Sequence, residues 1–490
     1  MSRARDDDAE VNVPLLARNS LDHPYSDDAP PYSPPDPLLH DLLFRPHPLN
    51  NHAAAQDPPY LRLPFFNKFV RLPSFFRPYS TITQSQRFYR FQTALGRRRG
   101  IIVCLLIFAI LLLLVSLYFT ILFNPPPLPS PIYPDMTTNT SARFLTLNIF
   151  MRPPGIRNNL SDYKDSRLEY LIRYVLPRYD VVALQEAFAF GTIRKDILIR
   201  EARKLGFNYH IESMRKDIFD LSIDGGLLVL SRFKIVDSAV MEYERGVNND
   251  WLAAKGALHA RLELNPSTHL DLFTTHTQAS YGPLPPSLTD STVQVRLRQL
   301  SHLHDFIALR AGLTTGASSP IVPILLAGDL NVDASQHIPP PTQPSSDASE
   351  EYEAMMKVLR GDGIEGLPAS ERRIPLLVDS VREQLGYHPV TYGDVQLGWD
   401  GVSVEPAETV LTAMMDQGTV QSLDRVLFCE AAEVEGEAEA EGLGMQVAEG
   451  GVRQERYRVR LAETAVEKFL VKDEKDVADI LPFTQVSGAL

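Results

Sequence analysis

Polar residues able to bind a phosphate follow a short apolar run in this sequence. The segment Pro320 to Asp333 ends its apolar part in Gly-Asp-Leu-Asn, which places Asp329 and Asn331 two residues apart. If the extended geometry continues, both side chains point to the same side. Asp329 is an anionic acceptor and a candidate base, and Asn331 is a neutral donor and acceptor, so the pair suits a phosphate and an attacking water. An ordinary turn after a strand explains the same residues, because Gly, Asp and Asn are common in turns.

Three further strand-like runs end in residues of the same kind. They are RFLTLNIF with Asn148, DVVALQE with Gln185 and Glu186, and LDLFTTHTQA with His276 and Gln278. A short apolar run indicates a buried strand, and a strand buried on both faces carries polar residues only where it emerges. Four strands that end in such residues indicate one common site.

The order of the segments LN, QE, DGGLLVLSR, THTQA and GDLN resembles that of the endonuclease/exonuclease/phosphatase superfamily. The segment RGVNNDWLAAKGALHARL is most similar to neutral sphingomyelinases and related sphingophospholipases C. The resemblance implies an α/β fold of the deoxyribonuclease-I-like class, a two-sheet mixed β-sandwich flanked by helices. It implies hydrolysis of sphingophospholipids, such as sphingomyelin or inositol phosphosphingolipid, to ceramide and a phosphorylated headgroup.

The resemblance also implies a role for each residue of the strand ends. Glu186 would be the principal Mg²⁺ ligand with Asn148 beside it, and Mn²⁺ is an alternative metal. His276 would donate to a phosphate oxygen as negative charge develops. Asn331 would hold the phosphate, and Asp329 would orient or deprotonate a partner. A surface glutamate and a structural histidine are the ordinary alternatives for Glu186 and His276.

Four residues elsewhere are further candidates by the same resemblance. Asp224, before two glycines, matches an aspartate close to the site, although Asp-Gly-Gly is also a turn sequence. Asp250 and Lys255 resemble a pair that gates substrate access, and an ordinary salt bridge explains them equally well. Asp424, in SLDRVLF, matches a late strand that carries an aspartate near the site.

The last residues of the chain depart from the family pattern. Members of the superfamily finish with Ser-Asp-His, whose histidine is the usual general base for water. Here Gly488 and Ala489 follow Ser487 where Asp and His are expected, and the last histidine in the sequence is His388. The catalytic domain is therefore expected to be truncated at its C-terminus. Positioned acid-base catalysis contributes about 10²- to 10⁴-fold in rate, so a catalytically impaired lipid-binding pseudoenzyme is an alternative function.

The N-terminal part of the chain differs from the rest in composition. Residues 1–100 hold fourteen prolines and predict a disordered tail. Residues 101–123 carry no formal charge and are long enough for a transmembrane helix. Residues 124–141 form a proline-rich stalk, and residues 142–490 form the catalytic domain.

The charges around the apolar run predict its orientation. Five arginines lie in the twenty residues before it, against Arg143 alone in the twenty after it. The positive-inside rule therefore predicts a single-pass protein with a cytosolic N-terminus and a lumenal or extracellular catalytic domain. Glycosylation patterns at Asn139 and Asn159 agree with this topology, although they are frequent by chance.

The overall charge and the cysteines exclude other classes of protein. A net charge of -13 argues against nucleic acid as the main partner, although an inositol-lipid phosphatase or a nuclease of the same superfamily remains an alternative. Cys104 and Cys429 are too few for a disulfide framework. Residues 334–350 and 430–451 interrupt the domain as solvated loops.

Overall fold

The computed structural model describes the N-terminal region only in short pieces and most of the remaining chain. The described residues are 60–62, 69–71, 86–123, 125–132, 141–158, 162–216, 220, 222–282, 285–313, 322–336, 346–374, 377–407, 409, 411–414, 416–431, 459–472 and 479–489. Most of the predicted tail, most of both predicted loops, and the asparagines Asn139 and Asn159 lie outside these residues.

The chain divides into two compact units, residues 1–96 and 97–490. Within the first, strands β1 (Tyr60–Arg62) and β2 (Phe69–Arg71) pair antiparallel. Helix α1 (Gln86–Phe123) begins in the first unit and contains the whole predicted span. Its segment Arg98–Tyr118, of 21 residues, contains a stretch with a mean hydropathy of 3.3 and is long and apolar enough to cross a membrane.

The second unit contains sixteen strands and five further α-helices among the described residues, and the four strand-like runs of the sequence analysis are β3, β4, β9 and β10. The strands are β3 (Arg143–Met151), β4 (Val181–Ala187), β5 (Tyr209–Glu212), β6 (Leu228–Ser231), β7 (Lys234–Glu242), β8 (Gly256–Asn265), β9 (Thr268–His276), β10 (Ile324–Asp329), β11 (Val378–Asp379), β12 (Tyr392–Gly393), β13 (Val395–Leu397), β14 (Val404–Pro406), β15 (Val420–Gln421), β16 (Asp424–Cys429), β17 (Glu463–Lys472) and β18 (Asp479–Ala489). The helices are α2 (Lys164–Tyr170), α3 (Arg194–Lys204), α4 (Ser291–Arg310), α5 (Glu350–Arg360) and α6 (Ser380–Leu385).

The strands form two six-stranded mixed sheets. One has the order β17-β18-β3-β4-β6-β5, and the other has the order β11-β16-β10-β9-β8-β7. Each sheet contains a single parallel pair, β3 with β4 and β9 with β10, and its other pairs are antiparallel. The predicted fold class, a two-sheet mixed sandwich flanked by helices, is confirmed.

Three apolar clusters pack the sandwich into four layers. The cluster between the sheets includes Phe144, Leu272 and Val426. A second packs the first sheet against α2 and α3 through residues such as Leu168 and Leu198, and a third packs the other sheet against α4 and α5. Because burial of apolar surface stabilises by about 25 cal/mol per Å², these three clusters hold the two sheets in a fixed relation.

Side-chain alternation along the strands decides which residues face the space between the sheets. On β10, Leu325 and Ala327 lie in the inter-sheet cluster, whereas Ile324 and Leu326 face α4 and α5. Successive side chains of a strand point to opposite faces, so Asp329 also faces the other sheet. By the same alternation, Asn148 on β3, His276 on β9 and Asp424 on β16 also face the space between the sheets.

The last strand lies beside β3 in a register that changes one sequence expectation. Ser487, Gly488 and Ala489 pair with Leu145, Phe144 and Arg143. These partners are at the beginning of β3, whereas Asn148 lies toward its other end. The predicted correspondence of Gly488 and Ala489 to the Asp and His of the family motif therefore disagrees with the strand register, which places both residues away from the strand ends that carry Asn148 and Glu186.

Part of the predicted stalk is bonded to the folded domain. Arg203 Nε, near the end of α3, donates to the Pro129 carbonyl oxygen over 2.8 Å. The Asn208 side chain accepts from Ile132 N–H at 3.0 Å and donates to the Ile132 carbonyl at 2.7 Å. The segment from 129 to 132 therefore follows the domain surface near the start of β5.

Candidate active site

Asn148 joins the two sheets at one end of the sandwich. Its Nδ2 donates to Glu186 Oε1 at 3.1 Å and to Asp329 Oδ2 at 3.0 Å. Its Oδ1 accepts from the Phe150 N–H, which fixes the orientation of the amide. Asn148 therefore lies within hydrogen-bond distance of two other residues that the sequence predicted from separate strands.

The backbone of Glu186 breaks the alternation of β4. Val182 and Leu184 face the helices. Alternation along β4 would therefore point the Glu186 side chain toward the helices as well. However, Glu186 adopts a left-handed φ of 53°, and its carboxylate meets Asn148 at the inter-sheet end. A left-handed conformation is unfavourable for a residue with a Cβ, and such strain concentrates at functional sites. The position of the predicted metal ligand thus depends on a strained backbone.

Gly226 makes room for this conformation. It has a φ of 68°, and a Cβ added to it would lie 3.1 Å from Glu186 Cα and 2.9 Å from Phe188 Cε1. Its carbonyl accepts the Ala187 N–H at 2.7 Å. A side chain at position 226 would therefore displace Glu186.

Asp224 supports the site through the loop after Glu186, and its hydrogen bonds within the described residues go to that loop and to Lys195. Its Oδ1 accepts from the N–H groups of Ala189 and Phe190 at 3.0 and 3.2 Å, and its Oδ2 lies 3.4 Å from Lys195 Nζ. The predicted site-proximal aspartate is therefore a buried anchor of the loop that follows Glu186.

Lys255 connects Asp250 to His276. Its ammonium lies 2.8 Å from Asp250 Oδ2, 2.6 Å from the Thr277 carbonyl oxygen and 3.2 Å from His276 Nε2. Asp250 also accepts from the Ala279 N–H and from the Tyr281 hydroxyl. Burial opposes ionisation of Asp250, but the charge and hydrogen bond of Lys255 outweigh it, so the pKa of this carboxyl lies below its usual range. The pair is a buried, charged salt bridge in direct contact with the histidine.

The contacts of His276 determine which ring nitrogen is free. Lys255 uses its three N–H bonds on three acceptors, so His276 Nε2 accepts and the neutral ring carries its proton on Nδ1. Nδ1 is buried and has no hydrogen-bond partner among the residues described. Burial and then the charge of Lys255 lower the pKa of His276, which keeps the ring neutral at pH 7. The ring therefore has one N–H available for a ligand.

Asp329 and Asn331 are close but do not point to the same side of a strand. Strand β10 ends at Asp329, and Asn331 has a left-handed φ of 51°. Asn331 N–H donates to Asp329 Oδ1 at 3.0 Å, and Asn331 Nδ2 donates to the Thr277 carbonyl oxygen at 2.9 Å. The expected extended geometry is therefore replaced by a turn. Asp329 Oδ2 lies 3.7 Å from His276 Nε2.

Residues 145–437, more than half of the chain, match the Endonuclease/Exonuclease/phosphatase family. The chain belongs to this family. The predicted enzyme class, a phosphodiesterase-type hydrolase, is confirmed.

Several known proteins are similar to this family member. A sphingomyelinase of Dictyostelium discoideum is 32% identical over 313 residues, which are 59% of this chain and 65% of the relative. The chain therefore spans less than two thirds of that relative's length. Sphingomyelinase C from Streptomyces griseocarneus matches 72% of this chain and 99% of its own, with 18% identity and a TM-score of 0.44. A variant of Staphylococcus aureus beta toxin with bound magnesium ions matches 71% and 99%, with 16% identity and a TM-score of 0.42.

The donor set of this family member fits a hard cation at Glu186. Oε2 of Glu186 is buried and accepts no hydrogen bond within the described ranges. A carboxylate oxygen without a donor is costly to bury, and Mg²⁺ binds one or two carboxylates and keeps several waters. Asn148 Oδ1 accepts from Phe150 N–H, so its amide orients Glu186 in this structure. In the part of the chain described, no three His, Cys, Asp or Glu residues cluster as ligands.

Asp424 lies beside Asp329 in the neighbouring strand. The two residues are direct partners in the antiparallel pair of β10 and β16. Burial, followed by the negative charge of Asp329, raises the pKa of Asp424 well above its usual range. Asp424 is therefore a neutral acid over a pH range in which an exposed aspartate is ionised.

Asp424→Asn is expected to increase the free energy of unfolding at neutral pH. The folded-state pKa is raised, so the folded chain binds more protons than the unfolded chain above the ordinary pKa of 3.8, and stability falls with rising pH in that window. Asparagine keeps the shape and cannot ionise. Urea unfolding in EDTA at a series of pH values should show an advantage for the variant that grows with pH up to the raised pKa. A difference independent of pH would contradict the assignment.

Arg167 fixes the chain immediately after Asn148, a role that the sequence did not reveal. Its Nη1 and Nη2 donate to the carbonyl oxygens of Ile149 and Phe150 at 2.6 and 3.1 Å, and its Nε donates to the Asp162 carbonyl at 2.7 Å. Burial lowers the pKa of Arg167 to about 10, so it stays charged at neutral pH. Its bonds to Ile149 and Phe150 join residues 18 and 17 positions apart, so no short motif in the sequence predicts them.

A second buried arginine holds the loop after His276. Arg296 of α4 donates to Glu351 Oε1 at 2.6 Å, to the Gln278 carbonyl oxygen at 2.6 Å and to Ser280 Oγ at 3.1 Å. The N–H of Ala279, between these two residues, is bonded to Asp250. Helices α4 and α5 therefore position the loop that holds the Asp250–Lys255 pair.

Arg296→Met is expected to reduce the free energy of unfolding by about 3 to 5 kcal/mol, because breaking a buried pair leaves one charge unpaired. Arg296→Met combined with Glu351→Gln should lose less than the sum of the two single variants. Urea unfolding of all four chains measures this coupling. Strict additivity would show that the two side chains do not interact energetically.

Proposed function

We propose that this chain is a membrane-anchored, Mg²⁺-dependent phosphodiesterase of the phospholipase C type that hydrolyses sphingophospholipids to ceramide and a phosphorylated headgroup. The observation that carries the proposal is the convergence of Asn148, Glu186, His276 and Asp329 from four strands of two sheets. The sphingomyelinase relative supports the lipid class.

The residues of the site divide the chemistry among them. Glu186 Oε2 would hold the cation, with Asn148 keeping the carboxylate in place. Bound Mg²⁺ supplies charge neutralisation of the phosphate. His276 Nδ1–H donates to a phosphate oxygen, and donors preorganised in a buried site stabilise the developing charge without reorganisation. The Asp250–Lys255 pair holds the ring in that tautomer. Asn331 holds the phosphate, and Asp329 orients Asn148.

The general base is the point on which a second candidate function depends. The sequence contains no histidine after His388. His388 is buried against the Tyr352 ring, and burial lowers its pKa to about 3, so its packing suits a structural residue. A lipid-binding protein of the same fold with impaired turnover is therefore the second candidate.

The experiment that separates these functions is headgroup release by the full chain in detergent. Mixed micelles of sphingomyelin or inositol phosphosphingolipid are incubated with Mg²⁺ or EDTA, and phosphocholine or phosphoinositol is measured. Mg²⁺-dependent release supports the proposed enzyme. Micelle binding without release favours the second candidate, and cleavage of DNA by the same preparation would favour a nuclease.

The membrane topology is a further part of the proposal. The apolar segment of α1 and the arginines before it support a cytosolic N-terminus and a lumenal or extracellular domain. Protease treatment of sealed microsomes measures this orientation. Digestion of the domain in intact vesicles would show that it lies on the cytosolic side.

A further inference from the structure

Arg152 lies directly after β3 and faces the carboxylate proposed to hold the cation. Its Nε is 3.9 Å from Glu186 Oε2, and 16% of its side chain is exposed. Nε and Nη2 are both buried and form no hydrogen bond with the described residues. The distance to Glu186 is too long for a hydrogen bond. Two buried N–H groups of the Arg152 guanidinium are thus available at the site.

The rest of the guanidinium is held in place. Nη1 donates to Asn158 Oδ1 at 3.0 Å, and Asn158 Nδ2 donates to the Leu411 carbonyl oxygen at 2.5 Å. The Arg152 Cζ also lies 5.5 Å from the centre of the Phe150 ring. Because the ring and Asn158 restrict the head group, its orientation is set before any ligand arrives, and the edge formed by Nε and Nη2 has no hydrogen-bond partner among the described residues.

This free edge has the geometry of an oxyanion site. Nε–H and Nη2–H of an arginine point in parallel, and such a pair binds two oxygens of a phosphate or carboxylate at once. Buried donors without partners cost free energy, so their presence in a folded protein requires an explanation. A phosphate held between the cation at Glu186 and the His276 Nδ1–H would supply the two missing acceptors.

We propose that Arg152 is a phosphate-binding residue of this site, which donates through Nε and Nη2 to non-bridging oxygens of the substrate phosphate. The proposal rests on the proposed phosphodiesterase function for the identity of the substrate. Arg152 would contribute a fixed positive charge to the phosphate site, in addition to the bound cation and the neutral His276 donor. Arg152 was not among the residues that the sequence pattern indicated.

Binding of inorganic phosphate to the full chain in detergent with saturating Mg²⁺ tests the proposal without turnover. Line broadening in ³¹P NMR gives the phosphate Kd. Arg152→Gln is expected to raise it about 10- to 100-fold, the range of one charge-assisted hydrogen bond. Arg152→Lys keeps the charge but loses the parallel pair of N–H groups, so a smaller increase in the phosphate Kd is expected. Arg157→Gln, at an exposed arginine of the same loop, should retain the wild-type Kd.

The opposite explanation makes Arg152 a counter-charge for Glu186. In that case Arg152→Gln would tighten Mg²⁺ binding and leave the phosphate Kd unchanged, which overturns the proposal. If Arg152→Gln does not fold, Arg152→Lys decides, and a wild-type phosphate Kd in that variant also overturns it. If the wild-type chain releases no headgroup and Arg152→Gln still weakens phosphate binding, the proposed function is rejected and this inference is retained. If the wild-type chain releases headgroup and Arg152→Gln binds phosphate with the wild-type Kd, the proposed function is retained and this inference is rejected.

Discussion

Glu186→Gln is expected to remove most of the thermal stabilisation that magnesium gives to this protein. A ligand that binds the native state alone stabilises it by RT ln(1 + [L]/Kd), about 2.7 kcal/mol at a hundredfold excess over Kd. Glutamine keeps the shape of Glu186 and its contact with Asn148 but supplies a neutral oxygen, a weaker ligand for a hard cation. The melting temperature of the full chain, measured in Mg²⁺ and in EDTA, gives the shift directly.

Asp250→Asn is the matched control for this measurement. Asp250 belongs to the same site but bonds Lys255, Ala279 and Tyr281, none of which contacts the Glu186 carboxylate in the described structure. This variant should melt at a lower temperature in both solutions and keep its magnesium response. An undiminished response in Glu186→Gln would show that the cation binds elsewhere.

His276→Ala is expected to lower kcat for headgroup release about 10²- to 10³-fold, the loss found when a preorganised donor to a developing oxyanion is removed. The effect should fall on kcat more than on KM, because the hydrogen bond strengthens as charge accumulates in the transition state. Steady-state assays with mixed micelles measure both constants. Phosphate binding in the ground state should weaken much less than turnover.

His269→Ala provides the control, since His269 lies at the opposite end of the same strand and is half-buried. It should retain wild-type kcat and KM. Equal losses in the two variants would indicate general damage to β9. Wild-type turnover in His276→Ala would remove this residue from the proposed chemistry.

Local sequence was sufficient to predict four strands and the polar residues at their ends. A short apolar run that ends in polar residues indicates a buried strand, because such a run is a property of consecutive positions. Asn148, His276 and Asp329 follow from this pattern, and so does the expectation that they belong to one common site. The order of the motifs added the family, which the match over residues 145–437 confirms.

Contacts between distant segments decided the remaining features of the site. The left-handed backbone of Glu186 depends on Gly226, forty residues later, and the turn at Asn331 replaces an expected extended strand. Asp224 belongs to a loop anchor, and the raised pKa of Asp424 requires Asp329 across a strand pair. None of these outcomes is encoded in a short window.

The supporting arginines show the physical reason most clearly. Arg152, Arg167 and Arg296 appear in the sequence as ordinary charged residues of loops and helices, and charged residues are usually exposed. Their burial became evident only once the carbonyl and carboxylate groups around them were placed by the fold. Sequence alone thus determined which strands carry the reactive side chains. Tertiary structure decided their orientation and charge state, because long-range hydrogen bonds and desolvation depend on neighbours that are remote in the chain.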